Sequence, residues 1–124
     1  MDENDEYPGY SAALKAAGAE VLLWQEFGSY QGRWVAKIRL GGKLAWVSDY
    51  YGSCSVCDAL EAELGYEDRH NPAKLAAFGK QYLENLLSQS EMEEKFIESA
   101  EWSLEDEKAL EFVREHRIGT EEER

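Results

Sequence analysis

The sequence predicts an α+β fold: a three-stranded antiparallel β-meander, preceded by one N-terminal helix and followed by about four C-terminal helices. Three observations predict it. Residues 21–50 hold three β-type runs, the second of them alternating apolar and polar side chains, separated by glycine turns, the signature of consecutive antiparallel strands. Beyond residue 55 the apolar residues recur every three to four positions instead. The chain has 124 residues, of which 44% are hydrophobic and 12% aromatic, which suits one core. The expected organisation is an acidic disordered tail over 1–9, a single α+β domain over 10–118 and a frayed end over 119–124.

The first helix is expected to begin at Tyr10 or Ser11, run through Ser11-Ala12-Ala13-Leu14-Lys15-Ala16-Ala17 and stop at Gly18. Val21-Leu22-Leu23-Trp24-Gln25-Glu26-Phe27, bounded by Gly28-Ser29 and Gly32, reads as the first strand. The second, Arg33 to Leu40, places Trp34, Ala36, Ile38 and Leu40 on one face and Arg33, Lys37 and Arg39 on the other. Gly41-Gly42 then supplies a two-residue hairpin turn, because both of its positions need positive φ. Lys43 to Tyr50 is the third strand. On this pattern Arg33, Lys37, Arg39 and Lys43 would form an exposed, basic sheet face, or simply the polar half of ordinary alternation.

Val56, Ala59, Leu60 and Leu64 mark a helix of two to three turns ending at Gly65. Asn71-Pro72 offers an N-cap followed by proline at the first helical position, and Leu75, Phe78, Gly79, Tyr82, Leu83, Leu86 and Leu87 draw the widest apolar stripe. Ser90 is expected to cap a helix carrying Met92, Phe96, Ile97 and Ala100. Ser103-Leu104-Glu105-Asp106 has capping-box spacing and opens the last helix, with Ala109, Phe112, Val113 and His116 inward.

Charge divides the chain. Residues 1–18 hold four acids and one base, residues 19–60 four and four, and residues 61–124 eighteen and eight, for a net −13. A surface of that sign repels phosphate, so direct nucleic-acid binding and anionic membranes are disfavoured while a basic protein is attracted. Solubility alone would also explain acidic helices. No stretch has the length of apolar sequence that a membrane span needs, and Met1-Asp2-Glu3-Asn4-Asp5-Glu6 is acidic where a signal peptide would be basic, so a cytoplasmic location is expected.

Both cysteines lie in Tyr51-Gly52-Ser53-Cys54-Ser55-Val56-Cys57-Asp58-Ala59-Leu60, at the junction of the β-rich and helical halves. A C-x-x-C at a helix start can lower a thiol pKa and do redox chemistry, but three strands precede it and neither proline precedes a later strand. Cys54, Cys57 and, twelve residues on, His70 could supply three zinc ligands, with Asp58, Glu67 or Asp68 as the fourth. The preferred reading is structural: buried thiols, a turn at Gly52 and a cap from Ser53 or Ser55. Trp34, Trp46, Tyr50 and Tyr51 read as core or rim aromatics. No serine–histidine–acid set, phosphate-binding glycine loop or histidine pair is visible, and the paired acids Glu93-Glu94 and Asp106-Glu107 are expected on solvated helix faces, so no enzyme and no cofactor are expected.

The segment Tyr51-Gly52-Ser53-Cys54-Ser55-x-Cys57-Asp58-Ala59-Leu60, preceded by an aromatic strand, resembles a motif of small uncharacterised proteins from bacteriophages and other mobile elements. The resemblance covers residues 34–64 and carries context without catalytic residues. It implies a host-cytoplasmic protein that blocks a host nucleic-acid-binding or defence complex, of the anti-CRISPR or anti-restriction type. The expected binding residues are Glu91, Glu93, Glu94, Glu98, Glu101, Glu105, Glu111 and Glu115, facing a basic partner. The alternatives are a thiol or zinc protein at Cys54, Cys57 and His70, and a self-associating accessory protein, monomer or homodimer.

Overall fold

The computed structural model describes residues 9–28, 32–51, 64 and 70–119. In chain order the elements are α1 (Tyr10–Ala16), β1 (Glu20–Gly28), β2 (Gly32–Leu40), β3 (Lys43–Tyr51), α2 (Pro72–Leu83), α3 (Gln89–Ser99) and α4 (Leu104–Glu115). The strands form one antiparallel sheet in the order β1-β2-β3, so the meander expected from the sequence is present. Three C-terminal helices are described. The additional one expected over 56–64, apart from the buried Leu64, the 1–9 tail apart from Gly9, and both cysteines lie outside the described residues.

Local chemistry explains most element ends. Gly41 and Gly42 have φ of 62° and 80°, the conformation that a two-residue hairpin joining right-twisted strands demands. Asn71 caps α2 by accepting from the Ala73 and Lys74 amides, with Pro72 at the first helical position. Ser103 caps α4 by accepting from the Asp106 amide. Two boundaries differ from expectation. Helix α2 stops at Leu83, and Leu87 instead exchanges two backbone hydrogen bonds with Trp46 beside β3. Helix α3 is capped by Ser88 rather than Ser90, in a capping box with Glu91.

The sheet is covered on both faces, so the expected exposed basic face fails at Arg33, which is buried, and at Lys37, which is half-buried, while Arg39 and Lys43 stay exposed. Trp34, Ala36, Ile38 and Val47 pack against Tyr10, Ala13 and Leu14 of α1 and Leu75 and Phe78 of α2. On the opposite face Val35 and Trp46 pack against Met92 and Phe96 of α3 and Ala109 and Val113 of α4. The period-2 alternation thus separates two cores instead of a core from water. Each fully buried tryptophan, Trp34 and Trp46, removes enough apolar area to contribute about 4–6 kcal/mol before conformational entropy is subtracted.

The charges on the second face survive burial because each has a partner. Arg33 is buried against Asp106, and Lys37 donates to the His116 carbonyl at 2.9 Å. Arg39 stays half-exposed with Glu20. The Trp46 indole N–H reaches the buried Gln89 side-chain oxygen at 2.8 Å, which also accepts from the Ile118 amide, while the Gln89 nitrogen donates to Val113 O and Glu93. This network locks the C-terminal segment after α4 onto the sheet. The Trp34 indole N–H is buried with no acceptor among the described residues. Its ring is held by Trp24, stacked at 4.9 Å, and by Tyr10 and Tyr82.

Candidate protein-binding surface

Helices α3 and α4 and the turn joining them hold ten acids against three bases over residues 89–115. Their inward positions are taken by Met92, Phe96, Ala109, Leu110 and Val113, so helical geometry directs the carboxylates outward. Glu91, Glu94, Glu98 and Glu101 follow one another at intervals of three and four, which places them on one stripe running toward the turn. Glu94, Glu98, Glu101, Glu105, Glu111 and Glu115 are exposed and form no ion pair among the described residues.

Two of the eight expected glutamates are already engaged. Glu91 closes the α3 capping box through the Ser88 amide at 2.8 Å, although it remains exposed. Glu93 is largely buried and pairs with Arg114 at 3.3 Å and Arg117 at 2.8 Å. The Gln89 hydrogen bond, then Arg114 and Arg117, hold its pKa below the usual carboxylate value against the opposing effect of burial. Its neighbour in the other acid pair, Asp106, is buried as well. The expectation that both pairs are solvated fails because one member of each faces a cation supplied from another part of the chain.

Glu93 yields a pH prediction. A depressed folded pKa means that the unfolded chain binds more protons across that window, so the Glu93 contribution is present above its ordinary value of 4.5 and lost as pH falls through the folded value. Glu93→Gln should lower the urea midpoint near neutral pH, with the deficit shrinking toward zero at acid pH. A deficit that is constant with pH would show that the carboxylate charge is irrelevant there.

Among the described residues four large apolar side chains stand exposed: Tyr50, Ile97, Trp102 and Leu104, with Trp102 76% and Leu104 60% exposed. Trp102, in the α3–α4 connection, and Leu104, the first residue of α4, flank Ser103. Ser103 lines a cleft of about 480 Å³ together with Gly32, Arg33, Tyr50, Tyr51, Glu105 and Asp106. At its floor the Arg33 Nε donates to Asp106 Oδ1 at 2.8 Å and a terminal nitrogen donates to Ser48 Oγ at 3.3 Å. The guanidinium also lies over the Tyr50 ring, 4.1 Å from its centroid, and 4.7 Å from that of Phe96.

No protein family, curated protein or solved structure matches this chain. Its surface must therefore be read from its own chemistry. Burial, then the charges of Glu26 and Glu105, raise the Tyr51 pKa, and of those two carboxylates Glu105 lines the cleft. Partial burial of the Lys95 ammonium, then Arg33, lower its pKa, while Asp49 and Asp106 oppose that shift. Asp49 in turn accepts from the Tyr82 hydroxyl at 2.7 Å.

The residues proposed for metal chemistry are not brought together in what is described. His70 is exposed just before α2, and Cys54 and Cys57 lie outside the described residues. His116, at the end of α4, has its ring nitrogen Nδ1 2.9 Å from Phe112 O and its ring against Phe112. Among the described residues no three histidine, cysteine, aspartate or glutamate side chains are grouped to hold a metal ion. No helix among them is long and apolar enough to cross a membrane. The exposed Trp102 was open to sequence reading, since it sits outside the Met92, Phe96 and Ala100 stripe, between Glu101 and a helix-capping serine. Ile97, named with Met92, Phe96 and Ala100 among the apolar residues of this helix, is exposed.

Proposed function

We propose that this chain is a non-enzymatic protein-binding module whose acidic α3–α4 surface engages the basic surface of a partner. One observation carries the reading: exposed carboxylates that form no ion pair among the described residues precede and follow, along the chain, an exposed tryptophan at the turn between their helices. Charge complementarity speeds and orients encounter, while a tryptophan anchored in a partner pocket is the kind of residue that supplies binding energy at an interface centre. Solubility would account for the carboxylates but not for leaving Trp102 and Leu104 in water among them. In its finer form the partner is a nucleic-acid-binding or defence complex whose basic channel the module occupies, as the resemblance to mobile-element proteins suggests.

The test compares equal charge removed from two places. Glu94→Gln, Glu98→Gln and Glu101→Gln together should weaken binding of a mixed lysine–arginine peptide at low salt by roughly tenfold or more. Glu121→Gln, Glu122→Gln and Glu123→Gln together should weaken it by much less. Equal losses from both triple variants, read by isothermal titration calorimetry, would reduce the surface to nonspecific net charge.

A further inference from the structure

Resting on that reading, we propose that the cleft between Tyr50, Tyr51 and Glu105 receives an arginine side chain of the basic partner. The chain already contains one guanidinium held in this manner. Arg33 lies over the Tyr50 ring at 4.1 Å and is anchored by the Asp106 carboxylate at 2.8 Å. Tyr50 stands opposite Arg33 in the β2–β3 register, and with one ring face occupied it is still 59% exposed. More than half of Tyr50 therefore stays accessible to a second cation. Directly after Asp106's neighbour Ser103 on the cleft wall comes α4, whose exposed Glu105 also lines the cleft.

A second aromatic face beside a second carboxylate thus repeats the internal arrangement, facing outward. The Arg33 charge is offset by Asp106 at 2.8 Å, although part of it still reaches the neighbouring Lys95. Lys95 is the other nearby cation, with burial and Arg33 disfavouring its charge and Asp49 and Asp106 favouring it. Glu105, exposed and without an ion pair among the described residues, is the carboxylate of the cleft wall left for an incoming cation. A planar guanidinium can stack on tyrosine and fork onto a carboxylate at once, whereas an ammonium is a point charge with strong hydration. The cleft should accordingly distinguish arginine from lysine, which a merely acidic surface does not.

The test titrates the full chain with oligo-arginine and oligo-lysine peptides of equal length at matched ionic strength. The expected result is an arginine preference of about tenfold, the size that stacking plus a forked contact supports. Tyr50→Ala and Glu105→Gln should each reduce it, and Tyr50→Phe should retain it. Equal affinity for both peptides, or a preference that persists in Tyr50→Ala and Glu105→Gln, overturns the proposal while leaving the acidic-surface reading intact. Failure of wild type to bind either peptide overturns both. Circular dichroism checks the fold of each variant, and the exposed Glu105→Gln decides the matter if Tyr50→Ala is unfolded.

Discussion

Asp106→Ala is expected to destabilise the fold by about 3–5 kcal/mol, the cost of leaving a buried charge without its partner. The Arg33 and Asp106 side chains are 5% and 4% exposed, so water cannot replace the lost carboxylate. Ser48 retains one hydrogen bond to the guanidinium, and Tyr50 and Phe96 hold its faces, but none of these carries negative charge. Asp106 also sits in the first turn of α4, where an acid is favoured by the helix dipole, so its loss removes a smaller second contribution. Replacing both partners by apolar residues of similar volume, Arg33→Met with Asp106→Leu, should recover most of the deficit. Urea denaturation followed by circular dichroism measures both. A single-variant cost below about 0.5 kcal/mol would mean that the pair is solvated in solution.

The second large effect is expected at Gly79. Helices α1 and α2 cross so closely there that a Cβ on Gly79 would collide with the Ala13 carbonyl and press within 3.2 Å of the Ala17 Cβ. Backbone cannot rotate away as a side chain can, so the helices must separate, opening the core around Ala13 and Leu14, both fully buried. Gly79→Ala should destabilise by about 2–3 kcal/mol, even though alanine is intrinsically the better helix former by about 1 kcal/mol. Gly79→Val should cost more still. A thermal midpoint equal to or above that of wild type for Gly79→Ala would refute the close crossing of these two helices.

The fold was legible where local chemistry decides it. The Gly41-Gly42 turn, the Asn71-Pro72 start and the Ser103 cap each depend on a few adjacent residues, and each appears as expected. The covering of the sheet's second face was not legible. Arg33 and Lys37 read as solvent-facing because their partners, Asp106 and the His116 carbonyl, lie more than seventy residues away in sequence. The start of α3 was ambiguous for a local reason: Ser88 and Ser90 each have a glutamate three residues on. The earlier cap prevails in a fold that also buries Gln89, whose amide serves Trp46, Val113 and Ile118.

The candidate surface divides in the same manner. The stripe of Glu91, Glu94, Glu98 and Glu101 follows from helical spacing alone, so it could be anticipated. That Glu93 turns inward could not, because Arg114 and Arg117 meet it only after α4 folds back along α3. The cleft brings Arg33 and Tyr50 from adjacent strands to Ser103, Glu105 and Asp106 of a helix start, a juxtaposition that no sequence spacing encodes.

The most direct measurement is a ¹⁵N–¹H correlation spectrum of the full chain, titrated with a mixed lysine–arginine peptide at low salt. If the α3–α4 surface is the binding face, perturbations should concentrate at the amides of Glu94, Glu98, Glu101 and Glu105 and at the Trp102 indole N–H, and should fade as salt is raised. Perturbations centred instead on α2, or an indole signal that does not move at saturation, would contradict the assignment of this surface as the partner-binding site.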